Sequence, residues 1–422
     1  MKMKKYNTMI YIVTMLLIAG YSYCSDSEAS SYSKLTQEIK RKVGKFRKQL
    51  EGNSYCEDLD QAGKVLKVIS DMKDYLSNLE GNTFFSQQAE SQRVKWLKTI
   101  INPLLLVSDN PKIQFQEISV SSGGSELKSL IYYPKEMSEN QKLPCIIFLP
   151  GGNMYYETLI HTPNMLPVDN FIYMPSDMLS SSATMDRLVE ARFLVANQMA
   201  FALIAIDPQS GKNDVRQQVK DQVEKIKELP FVDNGKLSLF GHSNGGYVLS
   251  LLVKNDAQFL RDNFKRGIVF ASSYLTPEEQ KGSMEDGCWI NYAISQTLFK
   301  KLKPNIYNKK LKIFEGTEEA QEILSYIYPM SKKYGMDAKS LQTQLQDGPP
   351  VFLMIAKRDN VTPPGINSIP LAEKLNETNL NWRVFSYDAT HCLHTTEALE
   401  DILAIGQGNP REGDLLEELK SI

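Results

Sequence analysis

The chain has 422 residues, 42% hydrophobic and 23% charged, with a net charge of −2, so a sizeable core is expected and no general attraction to nucleic acid or an acidic polymer. At roughly 150 residues per domain, this length predicts more than one structural unit. Five cysteines are few for an exported chain of this size, and Cys56, Cys145, Cys288 and Cys392 show no metal-ligand spacing. They read as unpaired thiols, with a Cys288–Cys392 bridge as the alternative that an export route would permit.

Lys2, Lys4 and Lys5 precede the apolar run "MIYIVTMLLIAG", and small or polar residues follow. That order predicts a secretory signal over 1–24 and a secreted or periplasmic protein. The apolar run is short against the roughly 20 residues that span a bilayer. Cys24 stands where a lipoprotein would be acylated, but Tyr23 precedes it where a small residue is wanted, so lipid anchoring is the lesser alternative. Membrane contact is expected only if the N-terminus is lipidated or retained. The basic run "KRKVGKFRK" (Lys40–Lys48) reads as a solvated helix face.

Residues 25–108 carry apolar residues three and four apart, as in "DQAGKVLKVISDMKDYLSNLEG", and predict a helical N-terminal extension. From about 112 the period changes. "KIQFQEISV" and "LKSLIYYP" flank "SSGGSE" like a hairpin. Six short apolar runs follow: "LPCIIFLP", "FALIAID", "KLSLFG", "GIVFASS", "PVFLMIAK" and "NWRVFSYD". Helical segments lie between several of them, the clearest placing Val215, Val219, Val223, Ile226 and Leu229 on one face. Strands alternating with amphipathic helices predict a mostly parallel sheet covered on both faces over 109–422. The long interval 275–348 reads as a helical cap.

Such sheets bind ligands beyond the carboxyl ends of their strands. There, "GHSNGG" sets Gly241, Ser243 and Gly245 between a strand and a helix, the pattern of a nucleophile elbow. A serine needs a base, and the base an orienting carboxylate. The downstream histidines are His391 and His394, both after the last strand, and His391 is the expected base. His242 reads as a packing residue and His161 as a loop residue. Asp359, at the end of "PPVFLMIAK", is the expected acid. Asp388 is too near His391 in the chain, and Asp207 precedes the serine. The oxyanion formed on attack needs fixed donors. One is the amide of Asn244, and the other is that of Gly152 or Asn153 in "LPGGN". Met154, Tyr155 and Tyr156 follow in the same loop as candidate cleft residues.

"LPGGN", "GHSNGG", "AKRDNVTPP" and "DATHCLH" together resemble the α/β-hydrolase superfamily over roughly 112–410. Within it the chain looks most like dienelactone-hydrolase-like esterases and the catalytic domains of prolyl-oligopeptidase-like enzymes. The resemblance implies an eight-stranded, mostly parallel α/β-hydrolase sheet with helices on both faces, here with a helical cap and the N-terminal extension. Pro150 stands where many relatives begin this loop with His-Gly-Gly. It also implies a serine hydrolase acting through an acyl-enzyme, with a small-molecule ester or short peptide as substrate and no cofactor, metal or nucleic acid. Helical residues 25–108 stand where oligopeptidases carry a propeller, so ester hydrolysis is expected ahead of peptide hydrolysis. A catalytically silent binding protein on this fold is the alternative from another class.

Overall fold

The computed structural model describes residues 37, 41–42, 44–46, 48–49, 56–80, 112–122, 125–151, 184–206, 215–273, 338–359, 362, 364–365, 368–389, 393 and 395–419. The chain divides into two compact units, 1–48 and 49–422. The described residues of the first are helical. The segment 1–24, expected to be a signal, lies outside the described residues.

In the second unit, all eight expected strands form one sheet in the order β1-β2-β4-β3-β5-β6-β7-β8. β1 (Ile113–Ser122) and β2 (Ser125–Pro134) form the antiparallel hairpin. Its register closes at Ser122 opposite Ser125, a tighter turn than "SSGGSE" suggested. β2 is also antiparallel to β4 (Ala200–Ile204). β3 (Leu143–Leu149), β5 (Val232–His242), β6 (Gly267–Ala271), β7 (Val351–Ala356) and β8 (Trp382–Tyr387) continue in parallel. β4, β6 and β7 are buried along their whole length, as central parallel strands must be when helices cover both faces.

Side-chain alternation sends the two halves of each strand into different layers. Cys145, Ile147 and Leu149 of β3 join one apolar core with α3 (Val215–Lys227), α4 (Asn244–Asn255), α5 (Ala257–Asn263) and α7 (Ser368–Leu375). Burial in that core pushes the Cys145 thiol up to about 12. On the opposite face lie α1 (Leu59–Glu80), α2 (Thr184–Ala196) and α8 (Thr396–Gln407), which pack on one another, with α2 and α8 also against the strands. α1 lies within 25–108. Of the interval read as a cap, residues 338–345 form α6 (Ala338–Leu345), with Leu341 and Leu345 inside the first core. Residues 274–337 lie outside the described residues. α3 buries the predicted Val215, Val219, Val223 and Ile226, but ends before Leu229 and also buries Gln218 and Gln222. The Gln222 amide donates to Ala205 O at 2.7 Å and accepts from Ser129 Oγ at 2.5 Å, so this buried polar group links three elements.

The outer edge of β8 is covered by the C-terminal segment before α9 (Leu416–Leu419): the Asp414 N–H donates to Val384 O at 2.8 Å. Arg411 donates to Asp401 at 2.9 Å and to Asp414 at 2.7 Å, and its guanidinium lies 4.5 Å from the Phe385 ring centre. Asp401 also accepts the Tyr387 hydroxyl at 2.7 Å. Burial, then the Asp401 charge, holds the Tyr387 phenol well above its usual range. For Asp414, burial is outweighed by hydrogen bonds from Arg411 and Ser386, which hold its carboxyl low.

β5 passes into α4 through the single residue Ser243. A Cβ at Gly245 would stand 2.0 Å from the Leu149 carbonyl oxygen, and one at Gly241 2.7 Å from the Gly245 oxygen. Both obstacles are backbone and cannot swing aside. Gly365, by contrast, has nothing within 4 Å. Gly245→Ala should therefore lower stability by about 3 kcal/mol or more, while Gly365→Ala changes it little, measured by urea denaturation. Arg411→Met, which strands the buried Asp401 carboxylate, should cost about 2 kcal/mol in the same assay. Because the folded Asp414 pKa is depressed, its stabilisation is present above the unfolded carboxylate range near about 4 and fades as pH falls through the lower folded value. Arg411→Met should make that acid loss shallower in a pH series of melts.

Candidate active site

The chain reverses its direction of sheet growth at β3. From β3 it steps to β4 on one side, then returns to β5 on the other. Connections leaving β3 and β5 consequently go to opposite faces, and a crevice opens beyond their carboxyl ends. Gly151 and Ser243 stand at those two ends. They are close neighbours: a Cβ on Gly151 would lie 2.8 Å from the Ser243 Cβ.

Ser243 has φ 52° and ψ −117°, a conformation that costs a non-glycine residue about 1–3 kcal/mol. Packing imposes it. The Ser243 N–H donates to Ala271 O on β6 at 3.0 Å, and its own carbonyl accepts the Gly246 N–H at 3.0 Å. Ser273 sits beneath the turn, its Oγ bonded to the Gly241 and Ala271 carbonyls, in the space a Cβ on Gly246 would need. The Ser243 side chain does not cap α4, so its hydroxyl is not committed to the helix. Asn244 is the first residue of α4, and amides in a first turn have no intrahelical carbonyl to bond. That amide is a ready donor at the helix N-terminus. His242 is buried and stacks on Phe148 at 6.4 Å, the packing role expected of it.

Asp359 is buried just beyond β7. Its Oδ1 accepts the Thr362 N–H at 2.8 Å and its Oδ2 the Thr362 hydroxyl at 2.6 Å. The same hydroxyl lies 2.9 Å from Ser272 O, at the end of β6. The Arg358 N–H donates to Ala389 O at 3.0 Å, which draws the chain leaving β8 alongside the residue before Asp359. Hydrogen bonds therefore run from the elbow through the end of β6 to Asp359, and from there to the start of the loop that contains His391. Asp388, the rejected acid, is 82% exposed and pairs with Arg358 at 2.7 Å. His391, Gly152 and Asn153 lie outside the described residues, as do His394, His161, Asp207, Met154, Tyr155, Tyr156, Cys288 and Cys392.

Thr362 and Ser273 escaped the sequence reading. Thr362 had a local signal, because an Asp followed three residues later by Thr is a common side-chain turn. Ser273 had none, since its partners come from another strand. Among the described residues no group of three or more His, Cys, Asp or Glu could hold a metal ion. A cleft of about 740 Å³ opens between the end of β8, α8 and Arg411, away from the elbow. Its Tyr387, Asp401 and Arg411 are already bonded to one another.

No protein-family model matches the chain. A stretch of 152 residues is 26% identical to inactive dipeptidyl peptidase 10 of Rattus norvegicus; it covers 35% of this chain and 17% of that protein. The chain thus matches only about a sixth of that relative's length. Among solved structures it is similar to an acylaminoacyl peptidase of Pyrococcus horikoshii (13% identity, 75% of this chain and 45% of that one, TM-score 0.44). It is also similar to the esterase Est22 (14%, 77% and 90%, 0.47) and to a bacterial heroin esterase (16%, 75% and 90%, 0.47). The fold follows from the chain's own architecture: an eight-stranded sheet with β2 antiparallel to its neighbours, growth that reverses at β3, and a strained serine turn between β5 and α4. With that strand order and that turn, this chain has the α/β-hydrolase fold.

Proposed function

We propose that this protein is a serine hydrolase that cleaves carboxylic esters through an acyl-enzyme. The observation that carries the proposal is the strained Ser243, held at the switch point of the sheet with its hydroxyl free of the helix and its turn bonded toward the Asp359 loop. In this reading Ser243 Oγ attacks the ester carbonyl while His391 takes its proton. The Asn244 amide and that of Gly152 or Asn153 bind the oxyanion. His391 then protonates the departing alcohol, and water, with His391 again as base, releases the acid. Asp359 orients the imidazole. The short-peptide reading ranks second because residues 25–108 have helical rather than strand periodicity. The charged, apolar and small residues of 1–24 support export.

A silent binding protein is the rival reading, favoured by the partial likeness to a relative described as inactive. A fluorophosphonate probe separates the two. The intact protein should be labelled, and Ser243→Ala should lose both labelling and p-nitrophenyl acetate hydrolysis. Asp359→Asn should reduce kcat about 10³- to 10⁴-fold, whereas Asp388→Asn should leave it within about twofold. Labelling that persists in Ser243→Ala removes the assignment. An intact protein that resists the probe is the binder.

A further inference from the structure

We infer that Thr362 is the positioning residue for Asp359, fixing the carboxylate that orients the base; the inference rests on the hydrolase reading above. Both oxygens of this buried carboxylate meet the same residue. The Thr362 N–H takes Oδ1 at 2.8 Å and the Thr362 hydroxyl takes Oδ2 at 2.6 Å. Two bonds from one residue set the rotation of the carboxyl plane as well as its place. Thr362 is itself only 2% exposed, so its hydroxyl is shielded from bulk solvent.

The hydroxyl also lies 2.9 Å from the Ser272 carbonyl, just past the neighbouring strand β6. A hydroxyl carries one proton and cannot donate fully to both acceptors at once. An ionised carboxylate is the stronger acceptor, and the shorter contact is the one to Oδ2. Thr362 thus shares its one proton between the two acceptors, the larger part going to Asp359, and so spans from that carboxylate to the end of β6. The position of the acid is thereby referred to the strand that also holds the Ser243 amide through Ala271. As a positioning residue for Asp359, Thr362 should matter little once that carboxylate is gone.

The test is a double-mutant cycle on the full chain, read by kcat and KM for p-nitrophenyl acetate and by the rate of fluorophosphonate labelling. Thr362→Val keeps the backbone donor and removes only the hydroxyl. It should lower kcat and labelling about 10- to 100-fold with KM within about twofold. Thr362→Ser should restore most of the rate. In the Asp359→Asn background the Thr362→Val change should cost less than about twofold, because the group it acts through is gone. If Thr362→Val does not fold, Thr362→Ala takes its place in the same cycle. The inference falls if Asp359→Asn is slow while Thr362→Val matches the parent, or if Thr362→Val costs the same in both backgrounds. If Asp359→Asn itself is as fast as the parent, the assignment of the acid fails, and the inference with it.

Discussion

At Ser243 the backbone is held at φ 52°, a conformation its side chain disfavours, because β5 must turn into α4 within one residue while both pack against β3. The turn survives only because the backbone of Gly245 can come into contact with the Leu149 carbonyl and that of Gly241 with Gly245. The consequence is chemical. A relaxed turn would let a serine at this position fold back onto the helix as its cap. The strained turn presents it at the crevice beside Gly151 instead. Strain of this kind is tolerated where the surroundings over-determine the conformation, and here bonds to β6 and Ser273 below the turn do so.

Catalytic groups on separate strands must be referred to a common frame, or small shifts between strands would separate them. In the proposed reading the frame is a set of hydrogen bonds across the carboxyl ends of β5, β6, β7 and β8. Ser243 bonds to β6, Ser272 just past β6 accepts from Thr362, Thr362 bonds to Asp359, and Arg358 bonds to Ala389 beyond β8. Each link is backbone or a short side chain, with little rotamer freedom to lose. The far edge of the sheet is managed separately, by Arg411 and its two carboxylates folding the C-terminal segment over β8.

Much of this was legible along the chain. Six of the eight strands were visible as apolar runs, since a strand buried on both faces has few polar positions, and the β1–β2 hairpin was visible as two alternating segments around a turn. Ser243 was legible because glycines on both sides of a serine, after a strand and before a helix, have few other uses. Cys145 and His242 were correctly read as buried packing residues. Periodicity was less faithful where polar groups are buried. Gln218 and Gln222 share the inner face of α3 because Ser129 and Ala205 meet that amide, and partners so distant leave no local trace. Of the Thr362 contacts, the bonds to Asp359 are local, while the one to Ser272, 90 residues away, leaves no trace in the sequence.

By itself, then, the sequence determined the layer architecture, the order of strand and helix, and the serine turn, because these depend on local periodicity and on residues adjacent in the chain. The tertiary structure alone decided that β3 is where the sheet reverses, so that Gly151 and Ser243 become neighbours. It also decided that Asp388 turns out to Arg358 while Asp359 is buried. Two aspartates at strand ends look alike in sequence. They differ only in what the neighbouring strands bring to them, and hydrogen bonds between strands are made in space, not along the chain.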